Sequence, residues 1–483
     1  MNKLNRRDFL KTSVLTTASL SLLPSVVRAR VVGANEDIRF AVVGFNGRGE
    51  SHLGGLRKLK GTRLVALCDV DSEVLEKETK KCQDRGEEVQ GYTDIRKLLE
   101  NENIDVVTFA TPNHWHALGS IWAIQAGKDV YVEKPVSHNV WEGRQLVAAA
   151  RKHNRIVQTG TQARSSRAVQ EAIAWSREGH LGKLIRARAL CYKSRPSIGK
   201  VSAATPIRAT VDYDLWCGPA PKAPLMRKKL HYDWHWVWPT GNGDLGNQGV
   251  HQMDIARWAL GEEELSPRVL AIGGRLGYED DGTTPNTLIV LHDYKAAPLI
   301  FEVRGLPAAE GASNMDKYRG ESIGVLVDFE GGSMEIPASY NKVLVYDKDN
   351  KEVVKTFTGG ETHFENFIKA VRSRKTSDLN ADILEGHLSA GLCHTANISY
   401  RLGQPHSPDQ IRDAAKADKD LAEALGRMEE HVAANKVDLQ KTPATLGAVL
   451  KMDPKTERFV ENPAADKMLT REYRQPFVVP EKV

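Results

Sequence analysis

The first residues in this chain whose types and spacing could do chemistry are the glycines of Gly44-Phe45-Asn46-Gly47-Arg48-Gly49. Glycines let main-chain N–H groups approach a ligand closely, and where such a turn opens a helix, those N–H groups and the helix dipole hold phosphate. Gly44 and Gly49 take the outer places of a dinucleotide fingerprint, one for the tight turn and one for helix packing. Asn46 stands in the middle place with Gly47 after it, and Asn tolerates left-handed backbone angles better than other non-glycine residues. Asp69 follows 25 residues after Gly44. A carboxylate there accepts hydrogen bonds from both adenosine ribose hydroxyls and repels a 2′-phosphate, which favours NAD. NADP stays open, because Arg48 could offset that charge. Asp69 could also cap the helix that follows, a role Asp71 or Ser72 could equally fill.

These groups need a scaffold that brings them together. The apolar run Ile38–Val43 reads as a strand leading into the glycine turn, and Leu64–Cys68 as a strand ending at Asp69. Helices and strands then alternate: helix 94–100, strand 106–110, helix 117–126, strand 130–132, helix 141–154, strand 156–159. Such alternation predicts an α/β fold with an N-terminal Rossmann doubly wound parallel sheet, whose ligands lie at the carboxyl ends of the strands. Those ends read Thr111-Pro112-Asn113-His114-Trp115-His116 and Glu133-Lys134-Pro135. Beyond them come short strands at 184–193, 268–277, 287–292, 299–304, 323–329 and 342–346. No helical crossover separates the last five, so a C-terminal α+β domain with a large, mostly antiparallel sheet is expected.

His231-Tyr232-Asp233-Trp234-His235-Trp236-Val237-Trp238 is the densest aromatic cluster. It suits a carbohydrate pocket wall, with rings against sugar C–H faces, and it suits core packing equally. His231 and His235 lack a third ligand at a characteristic spacing, so no metal is expected. The five cysteines are widely spaced without CxxC pairs and read as free thiols.

Taken in order, the Gly44 turn, Asp69, Thr111-Pro112-Asn113 with His116, Glu133-Lys134-Pro135, and Gly246-Asn247-Gln248-Gly249-Val250-His251-Gln252-Met253-Asp254 resemble the Gfo/Idh/MocA oxidoreductase family over roughly residues 37–403. The resemblance implies that Lys134 stands beside the nicotinamide and the reacting sugar hydroxyl, where a cation stabilises developing alkoxide. It implies that His251 is the general acid/base. It also implies cofactor contacts from Gly44, Asn46, Gly47, Arg48, Gly49, Asp69, Thr111, Pro112, Asn113, His116, Glu133, Lys134 and Gln162, and substrate contacts from Asn247, His235, Trp236 and Asp244. One departure stands out. Many dehydrogenase members carry Asp four residues before the His, and this chain has Asn247, which cannot hold an imidazolium by charge. In the family the second sheet often makes a subunit contact, so a homo-oligomer is expected.

The remaining sequence bounds the function class. At 483 residues with 41% apolar and 27% charged residues, the chain has material for two or three packed domains. The net charge is +5, but Lys3, Arg6, Arg7, Lys11 and Arg28 against Asp8 account for most of it, leaving the remainder nearly neutral. No basic stripe for nucleic acid or anionic membrane remains. Residues 1–29, with Arg6-Arg7 before Phe9-Leu10-Lys11, an apolar run and Val27-Arg28-Ala29, resemble a twin-arginine export signal, which implies the twin-arginine export machinery as a partner and a periplasmic or otherwise exported protein. The expected organisation is a signal at 1–29, an NAD(P)-binding Rossmann domain at 36–160, a substrate and oligomerisation domain at 161–403, and a helical extension and tail at 404–483 whose charge density suggests a solvated face. Because free nicotinamide cofactor is not expected outside the cytoplasm, the cofactor should travel bound and be regenerated in place. The leading expectation is an NAD-dependent oxidoreductase on a sugar, polyol or sugar derivative. The alternative is an NAD-dependent glycosidase or lyase working by transient oxidation, elimination and re-reduction. A non-catalytic relative that keeps the fold rests on Asn247 alone.

Overall fold

A computed structural model describes residues 37–483, so the export-signal reading falls outside the described residues. Six parallel strands, β1 (Ile38–Val43), β2 (Thr62–Cys68), β3 (Gln90–Tyr92), β4 (Val106–Phe109), β5 (Asp129–Val132) and β6 (Val157–Thr159), form one sheet in the order β3-β2-β1-β4-β5-β6. The order reverses between β1 and β4, and a crevice opens at the carboxyl ends there. Every residue of β1, β4 and β5 is buried, as expected where helices cover both faces of a parallel sheet. The edge strand β3 escapes sequence reading because its Gln90-Gly91-Tyr92 has no apolar pattern.

The second sheet is built from β7 (Leu184–Tyr192), β8 (Arg268–Gly274), β9 (Thr287–His292), β10 (Leu299–Arg304), β11 (Ile323–Phe329), β12 (Gly332–Pro337), β13 (Lys342–Tyr346) and β14 (Val353–Thr358). Its order is β14-β13-β12-β11-β7-β10-β9-β8, with β7 and β10 parallel and the other neighbours antiparallel. The helices Val250–Leu260 and Ile383–Arg401 cover one face, where Met253, Ala256, Leu388 and Leu392 share a core with Val269, Val290 and Phe301.

The solvated face expected of the extension is one side of it only. Helices Pro408–Ala415 and Lys419–Ala434 set Ile411, Leu421, Leu425 and Met428 against Leu270, Ile289, Leu291 and Ile300 on the opposite sheet face. Their charges occupy only the outer side of an amphipathic stripe. Short strands β15 (Gln404–Pro405), β16 (Thr445–Leu446) and β17 (Leu450–Asp453) continue the sheet beyond β8. The chain then returns to the Rossmann domain, where Phe477 is 1% exposed against Trp115 and Trp122. Among the described residues, no helix is long and apolar enough to cross a membrane, no group of His, Cys, Asp or Glu could hold a metal, and all five cysteines are buried and free.

Several histidines are buried as neutral rings. Burial holds His114, His292 and His394 at about 3 and His363 at about 4. Unfolded histidine titrates near ~6.5, so each ring takes up a proton only on unfolding. Their contribution is full above that value and lost as pH falls below it. Asp69 and Glu335, pushed up to about 6 and about 7 by burial, work in the opposite sense, but His235 and His431, held at about 3 and about 4, add to the histidine side. The denaturant midpoint is therefore expected to be lower at about pH 5 than at about pH 7, and an equal or higher midpoint at the acid value contradicts this.

Candidate active site

The crevice holds a cavity of about 480 Å³ whose lining runs from Gly44–Arg48 and Asp69 through Thr111–Asn113 and His116 to Glu133, Lys134, Gln162, Asn247 and His251. At the turn, Gly44 has φ +75°, and a Cβ there would lie 3.1 Å from the Ala110 carbonyl oxygen and the Thr111 nitrogen. Gly49 has no room at all, since its Cβ would sit 2.1 Å from the Gly44 carbonyl oxygen. Gly47, at φ +137°, faces open space at the start of the helix Arg48–Arg57. The left-handed backbone that the sequence reading assigned to Asn46 is carried by Gly47 instead, since Asn46 is not among the residues with positive φ. Replacing Gly49 with Ala drives a methyl group into main chain, so thermal stability should fall and NAD affinity should weaken by about tenfold or more. Gly54→Ala in the same helix meets nothing within 4 Å and should leave both unchanged. Equal behaviour of the two variants in melting and NAD titration contradicts the assignment.

Asp69 is free for a ligand because Asp71, not Asp69, caps the helix Ser72–Asp84 by accepting from the Glu73 N–H at 3.3 Å. The Asp69 carboxylate accepts from the N–H of Phe45 at 3.4 Å and of Asp71 at 3.0 Å, and burial still pushes it up to about 6. Glu133 is deep in the wall, and its Oε1 accepts from Arg48 at 2.8 Å and meets His52 at 3.1 Å. Burial opposes its charge, yet Arg48 and His52 hold the carboxyl well below its ordinary range. Gln162 donates to the Tyr131 hydroxyl at 3.0 Å and reaches the same Glu133 oxygen at 3.4 Å.

The candidate reacting end is organised around Lys134. His116 spans the carbonyl oxygens of Pro135 and Thr111 at 2.6 and 2.8 Å, tying the Lys134-Pro135 peptide to the end of β4. Asn113 is also engaged, donating to the Asn242 side chain at 3.0 Å and so joining the two domains at the crevice. Lys134 Nζ donates to the Asn247 main-chain carbonyl at 2.8 Å, and burial draws its ammonium down to about 8 against the attraction of Glu133. Asn247 lies in a π-turn, Leu245–Gly249, directly before the helix that carries His251. A π-turn misaligns helix carbonyls, and this one points at the lysine. His251 Nδ1 is buried without a partner, and burial and then the Lys134 charge hold the ring well below its usual value. The carboxylate absent at position 247 is not replaced from nearby. Asp244 is bound bidentately by Arg195 at 2.7 and 2.9 Å, and both oxygens of Asp254 accept from the single Arg164 Nε at 2.9 and 2.8 Å.

The candidate substrate contacts separate. Asn247 and His235 line the cavity, whereas Asp244 and Trp236 are buried behind it, the Trp236 ring under the Arg195 guanidinium at 5.2 Å. The aromatic cluster therefore divides between the two roles left open by its sequence, with Tyr232, Trp234 and His235 on the wall and Trp236 in the core. Sequence reasoning missed Trp115, Leu215 and Trp216, which line the end of the cavity near Asp69. Trp115 lies inside a strand-end motif and could have been found; Leu215 and Trp216 sit in a long excursion with no periodic pattern. The set fits a dinucleotide: an open glycine turn, a helix N-terminus, a free carboxylate, and buried Thr111 Oγ1 and Glu133 Oε2 that lack partners.

Residues 38–161 match a model of an oxidoreductase family, NAD-binding Rossmann fold, and residues 192–294 match one of an oxidoreductase family, C-terminal alpha/beta domain. A glycosyl hydrolase family 109 protein of Shewanella pealeana is 33% identical over 175 residues, which cover 31% of this chain and 38% of that protein. An alpha-N-acetylgalactosaminidase of Shewanella oneidensis is 26% identical over 211 residues, 39% of this chain and 46% of that one. The chain thus aligns with less than half of either relative's length. Levoglucosan dehydrogenase solved with NADH and levoglucosan superposes with a TM-score of 0.56 at 18% identity, covering 74% of this chain and 95% of the other. At that identity the likeness is one of fold.

Proposed function

The chain belongs to the Gfo/Idh/MocA oxidoreductase family, matched over residues 38–161 and 192–294, and from that premise we propose that it is an NAD-dependent oxidoreductase acting on a sugar, polyol or sugar derivative. The observation that carries the reading is that the Lys134 ammonium and His251 line the same cavity as the dinucleotide cradle. NAD, when bound, supplies the hydride acceptor. Lys134 uses one N–H on the Asn247 carbonyl and keeps two for a substrate oxygen, so it can orient a hydroxyl and stabilise alkoxide character as the C–H bond breaks. His251 is neutral, and with Nδ1 buried its Nε2 is the nitrogen left to receive the hydroxyl proton. Tyr232, Trp234 and His235 supply ring faces for the sugar.

A second reading, a glycosidase that oxidises, eliminates and re-reduces on resident NAD, is favoured by the glycosidase names of the curated relatives. We further propose that the Arg6-Arg7 leader exports the protein folded and loaded with cofactor, and that the second sheet supports a homo-oligomer. Purified protein tested for reduction of NAD by carbohydrates, and for glycoside cleavage without added NAD, separates the two chemistries. Net NADH formation supports the first, cleavage with no net change in cofactor supports the second, and neither outcome with a broad carbohydrate panel contradicts both.

A further inference from the structure

We propose that the C-terminal segment is a clasp that keeps the cofactor resident, and that Arg474 is its positioning residue. This rests on the NAD reading of the crevice.

The argument begins at the end of the cavity near Asp69. There the wall is made by Trp115 of the first domain and by Leu215 and Trp216, which belong to the short helix Tyr213–Cys217. That helix lies in an excursion of the second domain, between β7 and the helix of His251, so it can cover the crevice only if something holds it against the first domain. Part of the hold is local. Trp115 Nε1 donates to the Leu215 carbonyl at 2.9 Å, His114 Nε2 meets the Trp216 carbonyl at 2.9 Å, and Gly218, at φ +48°, would drive a Cβ to 2.3 Å from the Trp115 ring. The excursion also docks beside Asp69, where the Ser72 N–H donates to the Thr210 carbonyl at 2.8 Å and the Asp212 N–H to the Val70 carbonyl at 2.9 Å.

The C-terminal segment supplies the rest from behind. Arg474 spends its guanidinium on this one helix: Nη1 on the Asp214 carboxylate at 2.9 Å, Nη2 on the Asp214 carbonyl at 2.7 Å, and Nε on the Gly218 carbonyl at 3.2 Å. Its cation lies 4.8 Å from the centre of the Phe477 ring, which packs edge-on to Trp115 at 5.6 Å. One side chain therefore grips the covering helix, and its neighbour wedges the aromatic wall on which that helix rests. Neither residue touches the cavity, so their effect on a ligand must pass through Trp115, Leu215 and Trp216.

Arg471 Nη1 donates to the Pro239 carbonyl at 2.9 Å and meets His138 at 3.0 Å, but its Nε and Nη2 are buried without partners. A cation with unsatisfied buried donors weakens its own anchorage. The segment is thus held at Arg474 and Phe477, and on either side of Arg471 it is bonded as well, Leu469 accepting from the Trp141 N–H at 2.9 Å and Tyr473 from Asn139 at 3.3 Å. With the clasp shut, a dinucleotide leaves only after the Tyr213–Cys217 helix lifts. Slow release follows, and an exchange-free cofactor with it.

The test measures NAD release. Full-length protein loaded with labelled NAD is chased with excess unlabelled NAD, and retained label is followed by rapid filtration. Arg474→Ala should speed release by about tenfold or more, Arg474→Lys should fall between, and Phe477→Leu should act in the same direction. Arg412→Ala, on the solvent side of the helix Pro408–Ala415 and remote from the crevice, should match the wild type. Melting of the cofactor-free proteins accompanies each measurement, because a merely structural role lowers that midpoint without changing release. Equal release rates in wild type and both Arg474 variants, with NAD bound in each, overturn the clasp and leave the NAD reading standing. Failure of the wild type to bind NAD overturns both.

Discussion

Lys134→Met is expected to lower hydride transfer by about three orders of magnitude while leaving NAD bound. Methionine keeps most of the side-chain volume and removes the ammonium, which donates at 2.8 Å to the Asn247 carbonyl and belongs to the one lysine among the described residues that line the cavity. The variant removes a group whose interaction strengthens as negative charge grows on the substrate oxygen, so the loss should fall on kcat and kcat/KM together. Pre-steady-state formation of reduced nicotinamide, measured with a substrate the wild type oxidises, reads it directly. A rate within tenfold of wild type contradicts the assignment. His251→Ala should do less, about 10²-fold at the low end for a proton acceptor, since solvent can partly replace it.

Asp69→Ala is expected to weaken NAD binding by about ten- to a hundredfold and to erase most of the preference over NADP. Its carboxylate is aimed into the cavity by the Phe45 and Asp71 N–H groups, while Asp71 carries the capping role that would otherwise have claimed it. Because burial raises this carboxyl to about 6, NAD affinity should also fall as pH drops through that value, when the protonated group stops accepting two hydroxyl bonds. Titration calorimetry with both nucleotides checks the two statements. An unchanged preference in the variant means that ribose is recognised elsewhere, and Arg48, fixed on Glu133, then becomes the residue to examine.

The cofactor half of the site was legible in sequence because its constraints are local. A tight turn needs glycine at Gly44, a helix packed on that turn needs glycine at Gly49, and a strand end needs Asp69 in place. The strands β9, β10, β11 and β13 were equally legible, since their apolar residues are contiguous and bounded by turn residues. The strands β12 and β14 were not, because Gly332-Ser333 and the exposed stretch 353–356 carry no alternation for tertiary context to reinforce. The substrate half resisted for a different reason. Asp244 and Trp236 have the right chemistry beside the right motif, but Arg195, 49 residues before Asp244, draws both away from the cavity. The role of Asn247 changed in kind: the lysine is met by its main-chain carbonyl, a contact set by the π-turn and indifferent to the side chain. The closing segment was unreadable as a clasp, because Arg474 and Phe477 acquire meaning only through partners about 260 and 360 residues earlier.

A structure of the full chain with NADH bound tests the central claim most directly. The account requires the pyrophosphate over Gly47 and the helix start at Arg48, the adenosine hydroxyls on Asp69, and the nicotinamide ring between Lys134 and His251. A dinucleotide bound in the reverse sense, or with its ring beyond hydrogen-bond reach of any substrate oxygen that Lys134 Nζ could hold, contradicts it.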